Sequence, residues 1–292
     1  MKKITTIPKT LQIVITPLIT VSSIIVVLPS YAATFASIAQ IDLVLNEFNQ
    51  FPLGVGVIND VNAIAIADEG FAQNQIDRNT IFFAEDNIVF ANGNLRTISF
   101  GTGSEYIVKT DLSSILFGRF PIPAGNWFEF RAEGSLYSDT FVETWPVGNA
   151  STFGRMSLTV FDRGNQRSWP LVNLVSIINT NQDPKLNRDF FQAYISPNFG
   201  LMNYDQQVLF TQGNQETTRV NFTGVFQQFF EEETELDLVV VIESCTAGSN
   251  EVERCRTVPE PSNQLALIFL VFFKSIWGLF SRIMKQIIQF TR

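Results

Sequence analysis

Histidine is absent from all 292 residues of the chain. That absence removes the usual general base, the common Ser-His-Asp and Cys-His arrangements, and most zinc or copper sites in one step. Cysteine is almost as scarce, with Cys245 and Cys255 the only two. In an exported chain they read as a disulfide, and closing so short a loop stabilises by about 3 kcal/mol in the chain-entropy model. Basic residues are also few. Once the two ends are set aside, the body carries 13 of them against 27 acidic residues, a net charge of −14. Such a surface repels phosphate backbones, which argues against nucleic acid as a partner. The densest acidic cluster, Glu231, Glu232 and Glu233 with Glu235 and Asp237, lacks the Asp-rich spacing around a central glycine that marks a dedicated calcium loop, and reads as a solvated turn. No catalytic residue, metal site or cofactor is assigned, and only carboxylate chemistry would remain open to an enzyme. Glu129 and Glu133 would share one sheet face, but sequence alone does not place them as a glycosidase pair.

What the chain does have is an apolar stretch at each end. Lys2, Lys3 and Lys9 precede an apolar run over residues 11–28, and Ser30-Tyr31-Ala32 then offers small residues at both positions a signal peptidase inspects. This reads as a secretory signal over residues 1–32, cleaved after Ala32. Ala39 is a later cleavage position, and an uncleaved anchor is the competing reading.

At the other end, Val258, Pro259, Glu260, Pro261 and Ser262 form a stiff, extended, exposed peptide suited to processing, because each proline lacks a donor and holds its predecessor extended. An apolar run follows. A helix over residues 265–281 would be about 25 Å long at roughly 1.5 Å per residue, just short of the roughly 30 Å hydrocarbon core. Lys274 interrupts this run at a cost of about 2.5 to 3.5 kcal/mol, against about 0.3 to 0.6 returned by each Leu, Ile, Phe or Val, so insertion is modestly favoured. Arg282 and Lys285, then Arg292, keep the extreme C-terminus cytoplasmic and turn the body outward. Ile283, Met284, Ile287, Ile288 and Phe290 continue at helical spacing, as a segment lying along the inner membrane surface would.

The ordered triplet Pro259-Glu260-Pro261, apolar helix and basic cluster resembles the PEP-CTERM sorting signal of Gram-negative and cyanobacterial exported proteins. The resemblance implies processing by an exosortase, a membrane-embedded transpeptidase-like protease, and delivery to the cell surface or the extracellular polysaccharide matrix. It covers the last 35 or so residues; the body is only loosely similar to uncharacterised cyanobacterial proteins with this tail. The partners it implies are signal peptidase, the processing enzyme, the membrane and, for the delivered body, extracellular polysaccharide.

The body, residues 33–257, carries strand patterns. Ile41, Leu43 and Leu45 share one face; so do Phe128, Phe130 and Ala132; Met156, Leu158 and Val160; Val220, Phe222, Gly224 and Phe226; and Leu236, Leu238, Val240 and Ile242. Residues 62–68 read as a half-buried strand, and Asn92-Gly93 as a type I′ hairpin turn. Gly101 and Gly103 punctuate the next turn, and further turns are expected at 162–165, 179–184, 213–214 and 231–235. Residues 111–116 and 184–194 read as brief helical turns. These signals predict an all-β, antiparallel, jelly-roll-like sandwich of one or two domains. Most of the 28 phenylalanines would fill the space between the sheets, while Trp127, Trp145, Trp169 and Tyr137 are the better candidates for stacking on a sugar. The expected role is structural or adhesive, with a carbohydrate-binding or carbohydrate-active protein and a plain membrane-anchored binding module as alternatives.

Overall fold

The computed structural model describes residues 35–143, 149–180, 189–210, 214–249 and Cys255. Among these residues there are ten strands and no helix. They are β1 (Phe35–Asn46), β2 (Gly54–Glu85), β3 (Ile88–Ile122), β4 (Asn126–Val142), β5 (Asn149–Asp162), β6 (Arg167–Asn179), β7 (Phe190–Ile195), β8 (Phe199–Leu209), β9 (Gln215–Phe230) and β10 (Thr234–Ser249). Every pairing is antiparallel.

The long strand β3 belongs to both sheets. Residues 91–101 pair with β1, residues 107–122 pair with β10, and β2 runs along the other side of both halves. One sheet continues from β1 through β4 and β9 to β8; the other continues from β10 through β5 and β6 to β7. The two sheets pack face to face. Phe120, late in β3, lies 4.9 Å from Phe128 of β4, and Ser99, early in β3, lies 2.8 Å from Thr246 of β10. β3 therefore folds over itself, and the irregularities that let the hairpin turn this corner fall in β2, between Ala67 and Glu69 and between Glu69 and Phe71.

The period-2 pattern sets which side of each strand faces in. Ile41, Leu43 and Leu45, Phe128 and Phe130, Met156, Leu158 and Val160, and the expected rows of β9 and β10 are all buried; their neighbours are mostly half-buried or exposed, but in β10 Val239 and Val241 are buried on the other side as well. Phe120, Phe128, Phe130 and Phe226 form the densest part of the interior, with ring centroids 4.9 to 6.2 Å apart.

Several local expectations are corrected. Asn92-Gly93 is not a turn: both residues lie within β3, paired to β1 and β2. The hairpin turns instead at Asp86 and Asn87, whose φ angles of 50° and 66° suit a type I′ turn. Gly93 is needed for close approach between layers, since a Cβ there would stand 2.7 Å from Cδ1 of Ile242. Gly101 and Gly103 likewise lie within β3. Residues 111–116 are strand, and so are residues 190–194 of the second expected helical turn, because cross-strand pairing outweighs weak local propensity. Residues 62–68 are strand but not half-buried: Ile64 is 43 % exposed and Ile66 51 %. The turns at 162–165 and 231–235 are where they were expected.

Candidate functional site

Val258, Pro259, Glu260, Pro261 and Ser262, the basic residues Arg282 and Lys285, Ala32 and Trp145 lie outside the described residues, as do both apolar ends. Of the stretch that follows β10, Cys255 alone is described. Cys245, inside β10 and in register with Phe153 of β5, is bridged to Cys255 with their Cα atoms 5.8 Å apart. The Cys255 amide donates to Ser151 Oγ at 3.4 Å, and the bridge packs against Phe153, Ala247, Val175 and Ile177. Val258 follows three residues later in the chain, so the expected processing peptide starts directly beyond a residue pinned to β5.

The stacking candidates separate. Trp127 opens β4 and is 49 % exposed, with its ring 5.3 Å from that of Phe229. The segment before β2 is tied to it: Asn49 Nδ2 and Gln50 Nε2 donate to the Trp127 carbonyl at 3.0 and 3.4 Å, and the Glu129 amide donates to Asn49 Oδ1 at 2.8 Å. Phe51 is also exposed nearby in sequence. The result is a small aromatic ledge bordered by side-chain amides that hold the segment before β2 to it. Trp169, by contrast, is 7 % exposed and packs edge-on against Phe230, with the Arg167 guanidinium 5.7 Å from its ring. Tyr137 is half-buried on the outward side of β4; burial, then the Asp139 carboxylate, push its hydroxyl up to about 12 against the pull of Arg219.

Glu129 and Glu133 do share one face of β4, but each is occupied. Gln227 Nε2 donates to Glu129 at 3.0 Å, and Arg131, lying between the two in the strand, contacts Glu133 at 2.6 Å. The acidic cluster also divides. Glu231, Glu232 and Glu233 are exposed in the β9–β10 turn, whereas Glu235 meets Arg163 at 3.4 Å and Asp237 meets Arg119 at 2.8 Å. Among the described residues no three acidic or cysteine side chains converge as a metal site.

Two polar features escaped the reading of the sequence. On the outward side of β1, Asp42 accepts from Gln40 Nε2 at 2.8 Å, from Ser135 Oγ at 3.2 Å and from Asn94 Nδ2, joining three strands by one carboxylate. The second feature is inside. At the end of the sandwich where β1 starts, the inward positions carry hydroxyls: Thr97, Ser138, Thr140 and Thr218 on one sheet, Thr110, Thr152, Ser176 and Ser244 on the other. All eight are buried, and among the described residues their hydroxyl oxygens have no hydrogen-bond partner. The rows are contiguous, since Ser138 is in register with Thr218 and Ala39, and Thr246 with Thr110 and Thr152. The signal was legible in principle, because these residues keep the period-2 spacing of the apolar positions they replace. No family model, no curated protein and no solved structure matches this chain.

Proposed function

We propose that this protein is exported and sorted through its PEP-CTERM-like tail to the cell surface or extracellular matrix, where its jelly-roll-like body is a structural or adhesive module without a catalytic step. The observation that carries this reading is the Cys245–Cys255 bridge, which suits an oxidising compartment and anchors the chain to β5 immediately before Val258. The start of the body is compatible with it. β1 begins at Phe35, three residues after Ala32, while cleavage at Ala39 would remove the buried Phe35, Ser37 and Ala39 from the sheet. Processing after Ala32 and near Pro261 would release the sandwich with both sheets intact.

The test is the intact mass of the protein recovered from cell-surface and matrix fractions, in wild type and in a Pro259→Ala, Glu260→Ala, Pro261→Ala variant. Sorting predicts loss of both ends in the wild type and a variant held full-length in the membrane. An intact tail in both would leave a simple membrane-anchored β protein.

The Trp127 ledge favours a second reading, contact with extracellular polysaccharide. Trp127→Ala would then lower retention on the host's isolated matrix polysaccharide at least tenfold in a sedimentation assay, while Trp169→Phe would leave it unchanged.

A further inference from the structure

The observation is the open edge of β2. Among the described residues β2 pairs with β3 alone, which leaves its other edge without a strand over both layers of the sandwich. Open edges are usually guarded by charge, by irregularity or by shortness. The other exposed edges follow this rule: β7 has six residues, and β8 carries Asp205 and a register shift between Leu201 and Asn203. The two halves of β2 differ. Residues 72–85 carry Asp77, Arg78 and Glu85, whereas residues 54–67 carry only Asp60 and pair with β3 without a break. In that first half Ile58, Val61, Ile64 and Ile66 are all exposed.

The direction of the backbone groups can be read at Val61. Its amide donates to the neighbouring carboxylate, Asp60 Oδ1, at 2.9 Å and so is not committed to β3. In an antiparallel pair, alternate residues turn their amide and carbonyl toward the partner and the residues between them turn outward. Val61 belongs to the outward set, as Asn59 and Ala63 do by alternation.

The segment is also self-complementary about that residue. Paired antiparallel with itself at Val61, it sets Ile58 opposite Ile64, Gly56 opposite Ile66 and Asp60 opposite Asn62, whose amide can donate to the carboxylate. Side chains stay on matching faces in this register, and the two Val61 residues, both facing outward, would exchange a pair of backbone hydrogen bonds. No like charges meet.

We propose that residues 54–67 of β2 form a homodimerisation edge, on which the same segment of a second copy of this chain pairs antiparallel about Val61. The contact is isologous, so it closes after two copies, and it joins one sheet of each copy into a continuous twelve-stranded sheet in the manner of strand addition. The partner deepens the structural role proposed above but does not depend on sorting: a chain that dimerises without being sorted, or is sorted as a monomer, separates the two ideas.

The test uses the full chain in excess detergent micelles, with protein mass followed by light scattering across a dilution series. Wild type is expected to pass from dimer to monomer on dilution. Val61→Pro removes an outward amide that β3 does not use and is expected to weaken association at least tenfold, as is Asn62→Asp, which sets a second carboxylate directly opposite Asp60 of the other copy on both sides of the dyad. Leu53→Lys, an exposed substitution just outside β2, is expected to leave the midpoint unchanged. Near-UV circular dichroism reports whether each variant is folded, and if Val61→Pro is not, Asn62→Asp decides. Val61→Cys should crosslink through a short bismaleimide and Leu53→Cys should not. A wild-type chain that remains monomeric, association that both edge variants leave intact, or crosslinking at Leu53→Cys instead of Val61→Cys would overturn the proposal.

Discussion

Where β4 begins and β9 ends, the inward positions hold Phe120, Phe128, Phe130 and Phe226, with Trp169 against them at 6.3 Å from Phe226. Farther along the same strands, the same inward positions hold Ser138 and Thr140 of β4, Thr218 of β9, Thr97 of β3 and Ser244 of β10. The phenylalanine end is held by apolar burial, about 25 cal/mol for each Å² removed from water. The hydroxyl end has little such area and is supported from its margins. Phe35 stacks on Tyr106 at 4.8 Å and closes the end of the sandwich, lying against the backbone of Gly248 where a Cβ would not fit. Outside one sheet, the Cys245–Cys255 bridge lies over Phe153 and Ala247. Across the interior, Ser37 Oγ donates to the Ala247 carbonyl at 3.1 Å. One continuous sandwich thus combines a core held by area with a core held by clamps.

The largest effect is expected at the phenylalanine end. Phe226→Ala should cost about 3 to 5 kcal/mol of unfolding free energy, because the hole it leaves is walled by rings that cannot all collapse inward. Urea unfolding measures this, and a loss under 1 kcal/mol would mean that the rings do not carry this end.

At the other end, replacing both cysteines by serine should cost about 3 kcal/mol by the loop-entropy estimate. Protease digestion should then open the chain next to β10 before the body unfolds. Equal resistance in both proteins would show that Phe35 and the strand ladders hold this end without the bridge.

A hydroxyl replaced by a methyl group should act in the opposite direction. Thr218→Val keeps the shape and removes a buried oxygen without a protein partner among the described residues, so stability should rise by about 1 kcal/mol. A fall in the urea midpoint would show instead that the hydroxyl is held by buried water, and the contrast between the ends would then be one of hydration.

The smallest effect is a difference in pH response. Asp162, at the phenylalanine end, is inclined upward by burial, but hydrogen bonds from Thr234 Oγ1 at 2.6 Å, Asn165 Nδ2 and the Asn165 and Gly164 amides outweigh this and hold it below the ordinary carboxylate value. Its stabilisation is present above the unfolded-state value and is lost as pH falls through the lower folded value. Asp139, on the outward side near the hydroxyl end, is pushed up by burial in spite of bonds from Thr217 and Gln215. Its ionised form costs stability at neutral pH, and acid relieves that cost as pH falls through its raised value. Asp162→Asn should therefore flatten the loss of stability on acidification, and Asp139→Asn should steepen it. Parallel shifts in both variants would show that neither carboxylate is tuned by the neighbours named here.

The strands with an apolar row on one side were legible in the sequence. β1, β4, β5, β9 and β10 each carry an inward row at every second residue, because a sheet with one face on a core must repeat that way, although in β10 Val239 and Val241 are buried on the other side as well. The hairpin of β2 and β3 was not legible in the same way. Asn92-Gly93 is the strongest local turn signal in its neighbourhood, yet β1 on one side and β2 on the other hold it in a strand, and Asp86-Asn87 turns instead. The aromatic ledge was half legible: Trp127 and Trp169 read alike in sequence, and only packing buries one of them beside Phe230 and leaves the other exposed on Phe229.

Composition and alternation by themselves determined the strand class, the inward faces of five strands, the pairing of the only two cysteines and the sign of the surface charge, because each depends on residue type or on neighbours close in the chain. The tertiary structure alone decided that β3 serves two sheets, that eight hydroxyls share one buried region and that residues 54–67 lie on an edge open among the described residues. Those features depend on which strands become neighbours, and that is set by contacts between residues as far apart as Ser37 and Ala247, beyond the reach of any local pattern.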